Sequence, residues 1–446
     1  MWNRLAGRVL LLAIVIGTQL NVSRATDSKR PNVLVILADD LGYGDVGFHG
    51  CRDIPTPNLD RLAGEGVRFT SGYVSGPYCS PTRAGLLTGR YQQRFGHEFN
   101  SGRPPNVPED FGLPVEEKTI ADRLREIGYT TALVGKWHLG GAARFQPQQR
   151  GFDEFFGFLD GQHPYFPGAK GETLIYRGTT MVQEKEYLTD AFTREAIAFL
   201  DRQQDKPFFL YLAYNAVHTP QDAKPEHLER FAAIQDERRR NYTARLTAMD
   251  EGVAQVLKKL NQKKFDENTI VIFLSDNGGP PANGSTNTPL KGRKSTTWEG
   301  GIRVPFVIRW PGHVTAGSVY HEPIIQLDLL PTILAAAGQT VSSEDRLDGV
   351  DLLPFLTGKK SGAPHEYLYW RFGKQLALRH GDWKLVRGRD ETELRLYHLK
   401  DDIGEENDLM SSQPHRAREL LAIYEAWNKT LQPPRWIPPN QRENAD

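Results

Sequence analysis

Four apolar runs set the rhythm of the first two thirds of the chain. Residues 32–38, 130–134, 207–212 and 269–274 are continuous stretches rich in β-branched, aliphatic and aromatic side chains. Such runs read as strands buried on both faces, the environment of a parallel sheet. Helical patterns lie between them, at residues 120–127 and 244–260. The alternation predicts an α/β fold: a large, mixed, mostly parallel sheet covered by helices on both faces. After about residue 362 the texture changes. Residues 366–370, 375–379, 383–386 and 393–397 alternate or pair as strands, and His380-Gly381-Asp382 marks a turn between two of them. Residues 415–431 form an amphipathic helical pattern. This predicts a small C-terminal α+β unit, an antiparallel sheet with one helix. The expected division is 1–25 as a signal peptide, 26–362 as the catalytic unit and 363–446 as the C-terminal subdomain.

Each long apolar run ends in polar residues able to do chemistry. The first ends in Asp39-Asp40, the second feeds Lys136-Trp137-His138, the third feeds Asn215 and His218, and the fourth ends in Asp276-Asn277. If the strands are parallel, these residues converge on one sheet edge, where open α/β sheets bind ligands. Adjacent carboxylates repel unless a cation or water screens them. Asp39, Asp40, Asp276 and Asn277 are all oxygen donors, a set that suits a hard cation and calcium better than octahedral magnesium. Taken singly, each acidic pair reads equally as a solvated loop or a helix cap. Lys136 and His138, two apart, would share one face of an extended segment.

A further stretch runs Cys79-Ser80-Pro81-Thr82-Arg83, then Ala84-Gly85-Leu86-Leu87-Thr88-Gly89-Arg90. Proline at a first helical position gives up an N–H that would be unpaired anyway, so Cys79 is placed at or near a helix N-terminus. That setting favours an anion and lowers a thiol's pKa. A lone cysteine is otherwise read as a buried structural thiol.

Composition adds three points. Lys+Arg and Asp+Glu are balanced at 55 each, so no overall field points to nucleic acid. Arg4 and Arg8 precede an apolar run at residues 9–16, and Ser23-Arg24-Ala25 offers small residues at the positions a signal peptidase reads. This predicts export to the periplasm, the lysosome or the extracellular space. The run is too short to span a bilayer, and a retained anchor is the lesser alternative. Cys51 and Cys79 are the only cysteines, and Asn21, Asn241, Asn283 and Asn428 match the glycosylation pattern. One disulfide is the first expectation for two cysteines in an exported chain.

The stretch around Cys79 resembles the signature of the type I sulfatases, within the alkaline-phosphatase-like superfamily. The resemblance extends to Leu37-Ala38-Asp39-Asp40-Leu41-Gly42-Tyr43-Gly44-Asp45, Gly135-Lys136-Trp137-His138-Leu139-Gly140, Ser275-Asp276-Asn277-Gly278 and the stretch following Lys294. It implies that a maturating enzyme oxidises Cys79 to formylglycine, which argues against a disulfide with Cys51. It implies a calcium site made of Asp39, Asp40, Asp276, Asn277 and the modified residue 79, whose hydrate attacks sulfur. Arg83 would steady that hydrate, Lys136 and Lys294 would hold the sulfate oxygens, His218 would protonate the leaving alcohol and His138 would help regenerate the aldehyde. Lys291 competes with Lys294 for its role. Three carboxylates, one divalent cation, two lysines and one arginine sum to about +2, a suitable field for an anionic ester.

Gly151-Phe152-Asp153-Glu154-Phe155-Phe156-Gly157 is similar to the branch that includes arylsulfatase B and N-acetylgalactosamine sulfatases. The expected substrate is a sulfated saccharide, contacted by His97, Glu98, Asn100, Gln162, His163 and Tyr165, although ordinary loop polarity explains these residues equally. The competing readings are a phosphonate monoester or phosphodiester hydrolase of the same superfamily, and an inactive calcium-dependent glycan-binding protein.

Overall fold

The computed structural model describes residues 30–101, 107–108, 110–169, 174–389 and 391–438. The expected signal peptide lies outside the described residues, as does Asn21. Among the described residues no helix is long and apolar enough to cross a membrane.

The strands are β1 (Asn32–Ala38), β2 (Val67–Phe69), β3 (Gly72–Tyr73), β4 (Thr130–Lys136), β5 (Glu154–Phe158), β6 (Ile175–Arg177), β7 (Thr180–Val182), β8 (Phe208–Ala213), β9 (Thr269–Ser275), β10 (Phe306–Arg309), β11 (Ser318–Tyr320), β12 (Ile324–Ile325), β13 (Tyr367–Phe372), β14 (Gln375–His380), β15 (Trp383–Arg387) and β16 (Arg395–His398). The helices are α1 (Pro57–Gly64), α2 (Cys79–Thr88), α3 (Ile120–Glu126), α4 (Leu188–Arg202), α5 (Pro225–Arg230), α6 (Glu237–Gln262), α7 (Glu299–Ile302), α8 (Leu329–Ala336), α9 (Leu353–Leu356) and α10 (Pro414–Asn428).

The large sheet has ten strands in the order β11-β2-β10-β9-β1-β8-β4-β5-β6-β7. Its centre, from β9 to β5, is parallel. Beyond that centre β10 and β6 pair antiparallel, which makes the sheet mixed. Alternation along β1 shows why its apolar run is unbroken. Val33, Val35 and Leu37 pack in one core with Leu86, Ile120 and Ile333. Leu34, Ile36 and Ala38 pack in the other with Leu59, Phe192 and Leu246. Both faces are thus covered, and each fully buried Leu or Ile contributes about 1.5–3 kcal/mol. Helix burial against the sheet, rather than intrinsic propensity, is what holds elements such as the seven-residue α3.

The C-terminal sheet has four strands in sequential antiparallel order, β13-β14-β15-β16. Along β13, Leu368, Trp370 and Phe372 are buried while Tyr367, Tyr369 and Arg371 are half-buried. Ala417, Leu420, Tyr424 and Trp427 of α10 share one core with Leu368, Trp370, Leu378 and Leu385. That core also takes in Tyr73, Trp298 and Ile302, so the small sheet is packed onto the large unit. A buried charge network crosses the same junction. Lys384 Nζ lies 2.9 Å from Glu299 Oε1 and 2.8 Å from Glu405 Oε1. Buried charges persist only when paired in this way.

The glycosylation pattern is corrected at two of its positions. Asn241 and Asn283 are buried, Asn241 donating from Nδ2 to the Glu237 carbonyl and Asn283 to the Val217 carbonyl. Neither is available to a glycan. Cys51 and Cys79 are both free thiols, so the first expectation of a disulfide gives way to the one drawn from the resemblance, which argues against it.

Candidate active site

The carboxyl ends of β1, β4, β8 and β9 deliver their polar residues to one chamber. Asp40 adopts a left-handed backbone conformation, with φ 66°. A non-glycine residue there is held by its surroundings and is characteristic of functional sites. Its N–H donates to Asp276 Oδ1 at 3.2 Å, and Asn277 Nδ2 donates to Asp40 Oδ1 at 2.7 Å. The bend lets both carboxylates of the pair serve one site. Ligand atoms of Asp39, Asp40, Cys79 and His218 all lie within 4.8 Å of one another.

Cys79 opens α2, with Tyr78 as its N-cap, so Pro81 is the third helical residue rather than the first. Its missing N–H still costs nothing, because the first turn has no intrahelical acceptors. The Ser80 N–H is taken up by Asn100 Oδ1 at 2.9 Å. Contrary to the expectation from helix position, the Cys79 thiol is pushed up to about 12: burial outweighs the charges of Lys136 and Lys294. The helix terminus cannot offset complete removal from water.

Two cations flank the carboxylates. Lys136 Nζ lies 2.6 Å from Asp39 Oδ2, and Lys294 Nζ lies 2.7 Å from Asp40 Oδ1. Burial works against ionisation of both carboxyls, but the two ammonium groups prevail and hold them below the usual range. Lys294 also donates to Cys79 Sγ at 3.1 Å and sits over the Tyr78 ring, 5.0 Å from its centroid. Lys291 lies elsewhere, donating to the Glu405 carbonyl and resting 3.9 Å over the Trp298 ring. Arg83 is wholly buried. It grips Asp276 Oδ2 through Nε and Nη2 at 3.1 and 2.9 Å, and donates through Nη1 to the Lys136 carbonyl.

Gly135, immediately before Lys136, has φ 118°, and a Cβ there would meet the Ala213 carbonyl oxygen at 1.9 Å. Only glycine lets β4 approach β8 this closely and turn Lys136 into the chamber. His138 is not extended, as its spacing from Lys136 predicts, but left-handed with φ 58°. Its carbonyl accepts from Ser80 Oγ, which ties this loop to α2. Burial, reinforced by Lys136, holds the His138 imidazole neutral.

His218 Nε2 lies 3.6 Å from Asp40 Oδ2. Its Nδ1 meets the Thr219 carbonyl at 2.8 Å, which fixes Nδ1 as the protonated nitrogen and directs Nε2 at the chamber. The His218 carbonyl accepts from Tyr165 Oη at 2.7 Å and from Arg245 Nη1 at 2.8 Å. These two supports were not singled out for that role from sequence. The one available signal is that Arg245 is a charged residue on a helix face otherwise filled by Tyr242, Leu246 and Met249. Asn215, at the end of β8, is buried with both side-chain amide atoms unpartnered.

The residues expected to contact a sugar divide. Tyr165 is buried, stacks on Tyr187 and props the His218 loop. His97 is buried against Trp436, with Nε2 2.6 Å from Ser80 Oγ. Glu98 is buried and accepts from Arg371 Nε and the Gly373 N–H, each at 2.8 Å, clamping the β13–β14 hairpin. These three are walls of the chamber rather than open hydrogen-bonding groups. Asn100 is half-buried with Oδ1 on the Ser80 N–H, His163 is buried beside Phe158, and Gln162 is exposed.

The donor set fits a hard cation. It is built of oxygens from Asp39, Asp40, Asp276 and Asn277, and Asn277 Oδ1 is buried with no hydrogen-bond partner. An orphaned amide oxygen beside three carboxylates is a ligand in search of a cation. The position of residue 79 also fits a hydroxylated side chain. Its Sγ, standing where such oxygens would lie, is 3.1 Å from a donor, Lys294 Nζ, and 3.6 Å from an acceptor, Asp39 Oδ1.

Comparison with known proteins accords with this geometry. The profile described as Sulfatase matches residues 31–339, and that described as N-sulphoglucosamine sulphohydrolase, C-terminal, matches residues 293–424. Arylsulfatase J of Mus musculus is 34% identical over 479 residues, covering 94% of this chain and 79% of the relative. N-acetylgalactosamine-6-sulfatase of Homo sapiens is 37% identical over 377 residues, covering 79% and 71%. The crystal structure of Ps i-CgsB in complex with k-i-k-neocarrahexaose aligns with a TM-score of 0.87 at 38% identity, covering 94% of this chain and 98% of that one. The profile spans well over half of the chain and the relatives most of it: this chain belongs to the sulfatase family, and it is an enzyme.

Proposed function

We propose that this protein is a sulfuric ester hydrolase that removes sulfate from a sulfated carbohydrate, with residue 79 matured to formylglycine and calcium held by Asp39, Asp40, Asp276 and Asn277. The observation that carries this reading is the meeting of Cys79, Lys294 and Asp40: residue 79 is 3.1 Å from an ammonium that is itself 2.7 Å from a cluster carboxylate. The formyl hydrate supplies a nucleophile toward sulfur, and calcium supplies charge to a sulfuryl oxygen.

The chain's own residues do the rest. Lys136 and Lys294 balance the charge of the transferring group from largely buried positions, where such contacts are stronger than in open water. Arg83 anchors Asp276 and the end of β4, so the carboxylates keep their spacing as charge moves. A sugar alkoxide is a poor leaving group, and a proton delivered to its oxygen lowers the barrier. His218 Nε2 faces the chamber and is suited to hold that proton. His138, neutral and buried, is suited to take a proton from residue 79 when the aldehyde is regenerated.

The substrate class rests on the relatives. Human N-acetylgalactosamine-6-sulfatase is named for a sulfated sugar, and Ps i-CgsB was crystallised in complex with k-i-k-neocarrahexaose. Export, cleavage of a signal within residues 1–25 and maturation by a formylglycine-generating or other sulfatase-maturating enzyme complete the proposal. The unit 26–362 would carry the chemistry and 363–446 would close its rim. The test is a screen of defined sulfated mono- and oligosaccharides for sulfate release by the matured enzyme. Release from an aryl sulfate with none from any saccharide would overturn the carbohydrate assignment.

A further inference from the structure

Cys79 is sealed from solvent, but the residue before it is only half-buried. The Tyr78 ring touches two elements that bound the chamber. The Lys294 ammonium stands 5.0 Å from the ring centroid and 3.1 Å from Cys79 Sγ. Phe372, the last residue of β13, stacks on the same ring, with centroids 5.8 Å apart and an interplanar angle of 28°. Hydrogen bonds brace this corner. Ser295 donates its N–H to the Pro77 carbonyl at 2.8 Å. Gln375, at the start of β14, donates from Nε2 to the Ser295 carbonyl at 3.0 Å and accepts the Thr297 N–H at 3.2 Å. Tyr78, the Lys294 loop and the β13–β14 hairpin therefore hold one another in place.

Tyr78 also packs against an aromatic cluster of Phe99, Phe111, Phe372 and Trp436, all four of them buried. Phe111 lies 6.1 Å from the His138 ring, so the cluster runs along the chamber from His138 to Lys294. It has little polar capacity. The phenylalanines have none, and the Trp436 indole N–H is shared between the Phe99 and Asn100 carbonyls at 3.0 and 3.2 Å. The Tyr78 hydroxyl has no hydrogen-bond partner among the described residues. A phenol can both donate and accept, and a tyrosine with an apolar body and a polar tip suits the boundary between a dry wall and a wet opening.

We propose that Tyr78 recognises the sugar that carries the scissile sulfate, through a hydrogen bond between its hydroxyl and a ring hydroxyl next to the ester. The proposal rests on the sulfated-carbohydrate reading of this site. With sulfur held at residue 79, the sugar begins one ester oxygen away and leaves the chamber past the half-buried residue that precedes it. Phe372 and Lys294 already engage the ring itself, so the contact runs through the hydroxyl and not through stacking. Tyr78 makes no bond to the transferring group; it sets which esters fit. Because Tyr78 is only half-buried, an ester without the matching hydroxyl leaves the phenol to water. The loss is then that of one neutral hydrogen bond, not the far larger loss of stranding a buried donor.

The experiment compares wild type and Tyr78→Phe, both matured at residue 79. The substitution removes one oxygen and keeps the ring that Phe372 and Lys294 touch. The probes are a panel of hexose monosulfates, analogues of each that lack in turn the ring hydroxyls next to the sulfate, and nitrophenyl sulfate, which has no such hydroxyl. On the hexose sulfate that wild type desulfates fastest, Tyr78→Phe should lower kcat/KM about three- to tenfold, mainly through KM, the scale of one neutral hydrogen bond. Wild type should lose the same factor on one deoxy analogue, on which the two enzymes become equal; that analogue identifies the hydroxyl. Nitrophenyl sulfate turnover should be affected far less. A Tyr78→Phe enzyme that matches wild type on every hexose sulfate, keeps its loss on every deoxy analogue, or loses equally on nitrophenyl sulfate overturns the proposal while leaving saccharide desulfation standing. A matured wild type that releases sulfate from nitrophenyl sulfate and from no hexose sulfate overturns the saccharide reading and this proposal together.

Discussion

The Lys294 ammonium donates to Cys79 Sγ across 3.1 Å, although the two residues are 215 positions apart in the chain. That contact joins the α2 terminus to a loop pinned by the C-terminal sheet, and it decides which of two nearby lysines belongs to the site. Lys294→Ala should lower kcat/KM by about 10²–10³-fold, the loss typical of removing one preorganised charge-stabilising donor. Lys291→Ala should have a far smaller effect, because Lys291 lies over Trp298. Steady-state kinetics on both variants checks the distinction; equal losses would contradict it.

Asp39, Asp40 and Asp276 are all buried together with an unpartnered Asn277 Oδ1. A divalent cation bound there should stabilise the fold by mass action, about 2.7 kcal/mol at a hundredfold excess over Kd. Calcium is therefore expected to raise Tm after chelation and to restore activity, whereas Asn277→Ala should blunt both responses. Thermal melts titrated with calcium and with magnesium measure this. A Tm indifferent to either ion would contradict the site.

His218→Ala should cost about 10²–10⁴-fold on alkyl sugar sulfates and much less on an activated aryl sulfate, whose leaving group needs little protonation. Tyr165→Phe deletes the hydroxyl that donates to the Asn215 and His218 carbonyls. It should show the same substrate dependence in weaker form. Equal losses on both substrate types would move the acid role to another residue.

A pH-dependent contribution to stability is built in far from the chemistry. His365 Nε2 lies 2.7 Å from Asp328 Oδ1. Burial alone would lower the His365 pKa, but the Asp328 carboxylate outweighs it, and the net shift is upward from 6.5. The folded state therefore binds this proton more tightly than the unfolded state. Its contribution is complete below about pH 6.5 and fades as pH rises through the raised folded value. His365→Asn should lose about 1.5–3 kcal/mol at pH 5.5, with the gap narrowing above neutrality. Urea melts across pH 5–9 test the sign; a gap that widens with pH would contradict it.

Much of this was legible in residue patterns. The unbroken apolar runs announced strands covered on both faces, and their polar ends announced the chamber. An Asp39-Asp40 pair and the stretch from Cys79 to Arg83 carry their chemistry in the residue types themselves. What could not be read depends on contacts between distant segments. The resemblance selects Lys294 over Lys291, but the physical reason, contact with Cys79 Sγ for one and with the Trp298 ring for the other, lies between distant segments. The burial of Glu98 follows from its pairing with Arg371, 273 residues away. Left-handed Asp40 and His138 are conformations that the surrounding fold imposes against local preference. Helix position alone predicts a lowered Cys79 pKa, but that effect is local whereas desolvation depends on the whole fold.

The most direct test of the account is sulfate release, measured by ion chromatography, from a defined sulfated oligosaccharide incubated with protein whose residue 79 is shown by peptide mass spectrometry to be an aldehyde. The account predicts stoichiometric sulfate, an oligosaccharide of unchanged chain length, and no release by Cys79→Ala. Full activity in protein carrying only the unmodified thiol, or turnover of a phosphate or phosphonate ester with no release from any sulfate ester, would contradict it.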